Sequence, residues 1–177
     1  MRTKSWMLLF LYTVWISSLS SCQLVSQPKQ VDAKDQMFFD EILQTSDVNN
    51  SMRLELMDYV PVPKIDDAIH LSVTNYSRAI IGSKRFDWGL RIFYFDEMSQ
   101  SWFELENKVE FVPPDAERLI WPEWRKLPIS DAVAIWPKLE KTYRTMEVRA
   151  MVVGYIYKND TPTDRKVGAY MDILWEP

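Results

Sequence analysis

An all-β fold, an antiparallel β-sandwich of about seven strands, is predicted for the main body of this 177-residue chain. Three observations carry that prediction. From Met52 onward apolar residues recur at every second position, the period of a strand with one buried face. Short runs rich in Val, Ile, Phe and Tyr are separated by polar, turn-forming clusters. No alternation of helix and strand, as a parallel α/β sheet requires, is visible. A chain of this length buries roughly 70% of its extended-chain surface, which suffices for a core without disulfides.

The elements follow in order. Met37, Phe38, Ile42 and Leu43 fall on one side of a helical wheel and predict a short amphipathic helix over Asp35 to Thr45. Asp47-Val48-Asn49-Asn50-Ser51 breaks it. Met52, Leu54 and Leu56 then alternate with Arg53, Glu55 and Met57, and Ile69, Leu71 and Val73 with His70, Ser72 and Thr74. Leu90 to Asp96 has the Ile, Phe and Tyr content of a strand buried on both faces. Trp102 to Leu105 answers it across the turn Glu97-Met98-Ser99-Gln100. Val109 and Phe111 predict a short strand ended by Pro113-Pro114, since proline cannot donate to a ladder. Val148, Ala150, Val152 and Ile156 form one face of a long strand, with Met151, Val153, Tyr155 and Tyr157 on the other. Asn159 to Arg165 reads as a polar turn, and Val167 to Trp175 alternates again.

The first 21 residues read differently. Arg2 and Lys4 precede an uncharged stretch from Trp6 to Ile16, apolar but for Thr13, and small residues follow. This is the layout of a secretory signal peptide. Eleven residues rise only about 16 Å as a helix, roughly half a hydrocarbon core. Leu19-Ser20-Ser21-Cys22 resembles the lipobox of bacterial lipoproteins: an aliphatic residue, two small ones, then cysteine. The resemblance implies that residues 1–21 are removed and that Cys22, as the new N-terminus, carries diacylglyceryl and palmitate chains. It implies a protein exported and held by membrane lipid through Cys22. Gln23 at the next position implies the outer membrane in a two-membrane bacterium, and otherwise the protein faces outward from the cell membrane. Two or more acyl chains make such attachment durable.

The organisation expected is therefore a leader over 1–21, a lipidated tether with a short helix over 22–50, and a sandwich over 51–177 with a Pro/Trp-rich insertion near 113–144. Gln23 to Gln36 is polar and reads as a flexible tether reaching roughly 20 Å root-mean-square. The stretches Ile69 to Ser77, Trp88 to Asp96 and Ser101 to Leu105, with the closing hairpin Val148 to Tyr157 and Val167 to Trp175, resemble bacterial immunoglobulin-like domains. Those domains end a strand in an Asn-x-Ser/Thr turn, as at Asn75-Tyr76-Ser77. This chain departs from them in having no inter-sheet disulfide and a long 113–144 segment.

Charge and composition narrow the function classes. The formal net charge is −4. Without residues 1–21, 19 basic residues stand against 25 acidic ones, so the mature charge is −6. No nucleic-acid partner is expected, because phosphate binding needs a cationic surface. One cysteine and one histidine exclude internal disulfides, Cys/His zinc clusters and most nucleophile–histidine catalysis. His70 points away from its apolar neighbours and reads as a surface side chain. Glycoside hydrolysis needs two carboxylates across a cleft. Asp66-Asp67, Glu104/Glu106 and Asp115/Glu117 are paired, but they read as solvated charges. The loop Asn159 to Asp164 offers oxygens but lacks a glycine bend, so no metal site is assigned. No catalytic residue and no cofactor beyond the lipid on Cys22 is expected.

The expected binding surface is Trp121, Trp124, Arg125 and Trp136, in a stretch that Pro122 and Pro128 keep out of a central strand. Tryptophan beside arginine is the composition of an interface hot spot, and flat indoles also stack on sugars. The same tryptophans could instead plug one end of the sandwich. The sequence thus predicts a non-enzymatic envelope lipoprotein whose immunoglobulin-like domain binds another envelope protein. A glycan- or peptidoglycan-binding module is the second reading, and a carboxylate-dyad hydrolase a distant third.

Overall fold

The computed structural model describes residues 31–57, 62–109, 117–122, 128–139 and 145–176. The leader, the lipobox, Cys22, Trp124 and Arg125 lie outside them. The chain divides into Met1–Val31 and a compact unit Asp32–Pro177. Only the second is described below.

That unit holds one helix and nine strands among the described residues: α1 (Ala33–Glu41), β1 (Met52–Leu56), β2 (Ile69–Asn75), β3 (Ile80–Ser83), β4 (Arg91–Asp96), β5 (Ser101–Leu105), β6 (Arg118–Ile120), β7 (Ile129–Ile135), β8 (Met146–Lys158) and β9 (Thr161–Trp175). All named strand pairs are antiparallel. The smaller sheet runs β1-β2-β7 and the larger β5-β4-β8-β3-β6, with β9 also paired to β8. Side chains from both sheets close one core: Met52, Leu71, Val73 and Ile135 from the smaller, and Ile81, Ile92, Val148, Val152, Ala169 and Trp175 from the larger.

β8 organises the larger sheet. β9 occupies one edge of β8 from Met146 to Lys158. β3 and β4 therefore share the other edge, β4 at Val148–Met151 and β3 at Tyr155–Tyr157. Between them the β3–β4 turn brings Trp88 against β8, where Val153 N–H donates to the Trp88 carbonyl at 3.3 Å. Gly154 allows β3 to lie close to β8: a Cβ there would meet Ile81 at 3.0 Å and the Gly82 carbonyl at 3.1 Å. Trp88 is fully buried and its Nε1 donates to Asp131 of β7 at 2.9 Å, linking the sheets.

Several expectations change. The 113–144 stretch is not an insertion beside the fold, because it supplies β6 to the larger sheet and β7 to the smaller. The short strand expected at Val109 is absent there, where the chain bends; Asn107 instead bridges Pro137, and Phe111 lies outside the described residues. The polar turn expected over Asn159 to Arg165 shrinks to Asn159-Asp160, both at positive φ (51° and 59°), as a two-residue hairpin turn requires. Thr161 already pairs with Lys158. The extra residues are absorbed as an irregularity in β9, where Thr163 Oγ1 donates to the Ile156 carbonyl at 2.7 Å. The helix forms two residues earlier than expected, because Asp32 caps it by accepting from Lys34 N–H at 2.9 Å. The tether expected over 22–50 is shortened by the same finding: α1 and the residues up to Asn50 pack on the strands as part of their unit. Gly168 of β9 bonds Asp47 and Asn49 at 2.7 and 2.9 Å.

Candidate functional site

β8 and β4 are buried on both faces, so the larger sheet has a second apolar surface opposite the shared core. Phe93, Trp102, Met151 and Val153 project there, and α1 lies over them with Phe38, while Leu43 follows. One charged residue sits among them. Arg149 of β8 has a side chain only 3% exposed. Its Nε and Nη2 donate to both carboxylate oxygens of Asp172 on β9 at 2.6 Å, and Nη2 also donates to Asp35 of α1 at 2.7 Å.

Three rings surround the guanidinium: Tyr170 at 4.0 Å, Trp102 at 4.6 Å and Phe38 at 4.8 Å. Nη1 is buried without a hydrogen-bond partner among the described residues. Burial works against the charge, but the bonds and charges of Asp172, then Asp35, more than offset it, so Arg149 is held above its ordinary value. Burial pushes the Tyr170 phenol up, and the Arg149 charge partly opposes this.

The helix is fastened at its start. Trp102 Nε1 donates to the Lys34 carbonyl at 3.0 Å, and Lys34 Nζ pairs with Glu147 and lies 5.3 Å from the Trp102 ring. Beside this end opens a groove of about 820 Å³ lined by Asp32, Lys34, Phe95, Asp96, Glu97 and Glu147, among others. A buried, pre-oriented guanidinium between two sheet aromatics receives a carboxylate and a third ring from α1.

The residues expected to form a binding surface are not gathered here. Trp121 follows β6 and is 54% exposed. Trp136 follows β7, half-buried, with its Nε1 enclosed and Lys108 Nζ 5.2 Å from its ring. Asn75 donates to the Ile120 carbonyl and pairs with Ile129, placing Trp121 near the start of β7, whereas Trp136 follows its end. A seven-residue strand separates them by roughly 20 Å. Trp121 and Trp136 therefore do not lie side by side, and the enclosed Nε1 of Trp136 fits the plugging role.

The paired carboxylates are tied up in ion pairs or caps. Glu104 accepts from Arg91, Glu106 from Lys138, Asp67 from Lys64 N–H, and Asp66 lies 3.6 Å from Lys108. Glu117 accepts from Tyr157, and Asp115 lies outside the described residues. His70 faces away from the core. Among the described residues no three His, Cys, Asp or Glu side chains are grouped to hold a metal ion, and no helix is long and apolar enough to cross a membrane.

Arg149 was missed by the sequence reading, although a signal exists. It is a charge set beside Met151 and Val153 on a face of a strand buried on both sides, and the closing hairpin sets Asp172 directly opposite. No protein-family model, no curated protein and no solved structure matches this chain.

Proposed function

We propose that this chain is a non-enzymatic cell-envelope lipoprotein, held by lipid on Cys22 and displaying an immunoglobulin-like domain for protein–protein interaction. The observation that carries the reading is Leu19-Ser20-Ser21-Cys22 two residues after the largely apolar stretch Trp6 to Ile16. Two antiparallel sheets sharing one core, with the Asn75-Tyr76-Ser77 turn after β2 and a long closing hairpin, support the immunoglobulin-like assignment. The mature charge of −6 makes a basic lipid-binding face an unsuitable anchor, which leaves the acyl chains to do that work.

The compact unit starts at Asp32, ten residues beyond Cys22, so the intervening chain reaches at most about 36 Å from the lipid. Partners are met within that layer, where confinement raises effective concentration. Among the described residues the second reading, glycan binding, keeps Trp121 as an exposed platform, and it is weakened by the separation of Trp121 from Trp136.

Labelled palmitate tests the anchor. Incorporation that Cys22→Ser abolishes, with the variant recovered as soluble protein, is expected. Equal labelling of the variant, or none in either, would refute lipidation.

A further inference from the structure

We infer that the outer face of the larger sheet is a docking site for an amphipathic helix, and that α1 is its exchangeable occupant in cis. The kind of partner follows from what α1 supplies: a carboxylate at Asp35 for Arg149 and an aromatic ring three residues on, at Phe38, for the pocket of Phe93, Trp102 and Tyr170. Residues three apart share one helix face, so Asp-x-x-Phe presents both groups together. The partner is an acidic, Phe-bearing helical segment of another protein.

Three features make α1 exchangeable. It is nine residues long, too short to hold helical form by itself. Its last turn carries Asp40 and Glu41 and no basic residue, against the helix dipole. It stands at the end of the compact unit, so one covalent connection joins it to the strands.

The sheet is also built to stand without it. Arg149 keeps its two-pronged pairing with Asp172 and its contacts with Trp102 and Tyr170 when Asp35 and Phe38 leave. The charge therefore stays compensated in both states, which is what a buried arginine needs if the element above it comes and goes.

The natural occupant rests on the interaction reading, but the site is tested with the chain's own sequence. The mature chain with Cys22→Ser is followed by amide hydrogen exchange, alone and with Phe38→Ala. A fluorescent peptide of residues 32–43 is the probe. Expected are α1 amides exchanging about 100-fold faster than Val148–Val152, a folded Phe38→Ala variant that binds the peptide, and binding at least about tenfold weaker when the peptide itself carries Phe38→Ala. The inference is overturned if α1 exchanges only together with β8, if Phe38→Ala unfolds the strands, or if the folded variant ignores the peptide. Failure to capture an envelope protein would instead count against the interaction reading and leave the peptide result standing.

Discussion

Glu104 accepts from Arg91 Nε and Nη2 at 2.8 and 2.6 Å, and this hydrogen bonding holds its carboxyl below the ordinary value. A carboxylate lowered in the folded state stabilises above its unfolded value of about 4.3 and loses that contribution as pH falls through the folded value. Both side chains are nearly half exposed, so the pair is worth no more than about 1 kcal/mol. Glu104→Gln should lower stability by up to that amount at pH 7, with an effect that shrinks as the pH falls below about 4, measured by urea denaturation. Tyr157 behaves oppositely. Burial first, and then its bond to Glu117 at 2.6 Å, push the phenol up to about 12. A raised value favours the protonated form, so this stabilisation is complete below pH 10 and fades as pH rises towards 12. Tyr157→Phe should cost about 1 kcal/mol at pH 7. It should also flatten the decline in stability between pH 10 and 12, seen in the same denaturation series. A variant that declines as steeply as the parent would contradict this assignment.

At the scale of elements, Asn75 is the joint between the sheets. Its Nδ2 donates to the carbonyls of Ala79 and Ile120 at 2.8 and 3.0 Å, and its Oδ1 accepts from Ser77 N–H and Oγ at 2.8 Å. Asn75→Ala takes the side-chain donor from the buried Ile120 carbonyl and should cost about 1–3 kcal/mol, read as a fall in thermal midpoint. Ser77→Ala, which removes a hydroxyl bonded to Asn75 and to the part-buried Ala79 backbone, should cost about 1 kcal/mol.

The same elements show what periodicity conveys. β1, β2, β4, β5, β8 and β9 each run five residues or more with apolar positions in register, and all six were legible. β3 and β6 have four and three residues, too few to show a period of two. β7 is long enough, but Asp131 interrupts the Ile129, Val133 and Ile135 series. That inward carboxylate accepts from Trp88 and Arg118, partners whose approach is set by the fold rather than by local sequence. Long-range pairing likewise hid the Arg149 site. Asp35 and Arg149 are 114 positions apart, and only the docking of α1 brings them together.

At the scale of the whole molecule, two antiparallel sheets share one core and α1 lies on the outer face of the larger. One cysteine excludes internal disulfides, the net charge of −4 argues against a nucleic-acid partner, and the resemblance of Leu19 to Cys22 to a lipobox suggests where the domain is held. Of the surface expected from the sequence, the described residues hold Trp121 and Trp136 and set them at opposite ends of β7; aromatic content does not reveal whether indoles gather or scatter. The central claim is that this anchored domain exists to engage another envelope protein. Crosslinking the tagged protein in its native envelope, then purifying and identifying what accompanies it, tests that claim most directly. The account predicts one stoichiometric protein, reduced several-fold by Arg149→Met with Asp172→Asn, while Trp136→Phe leaves recovery unchanged. Recovery of glycan fragments alone, or of nothing, would contradict it.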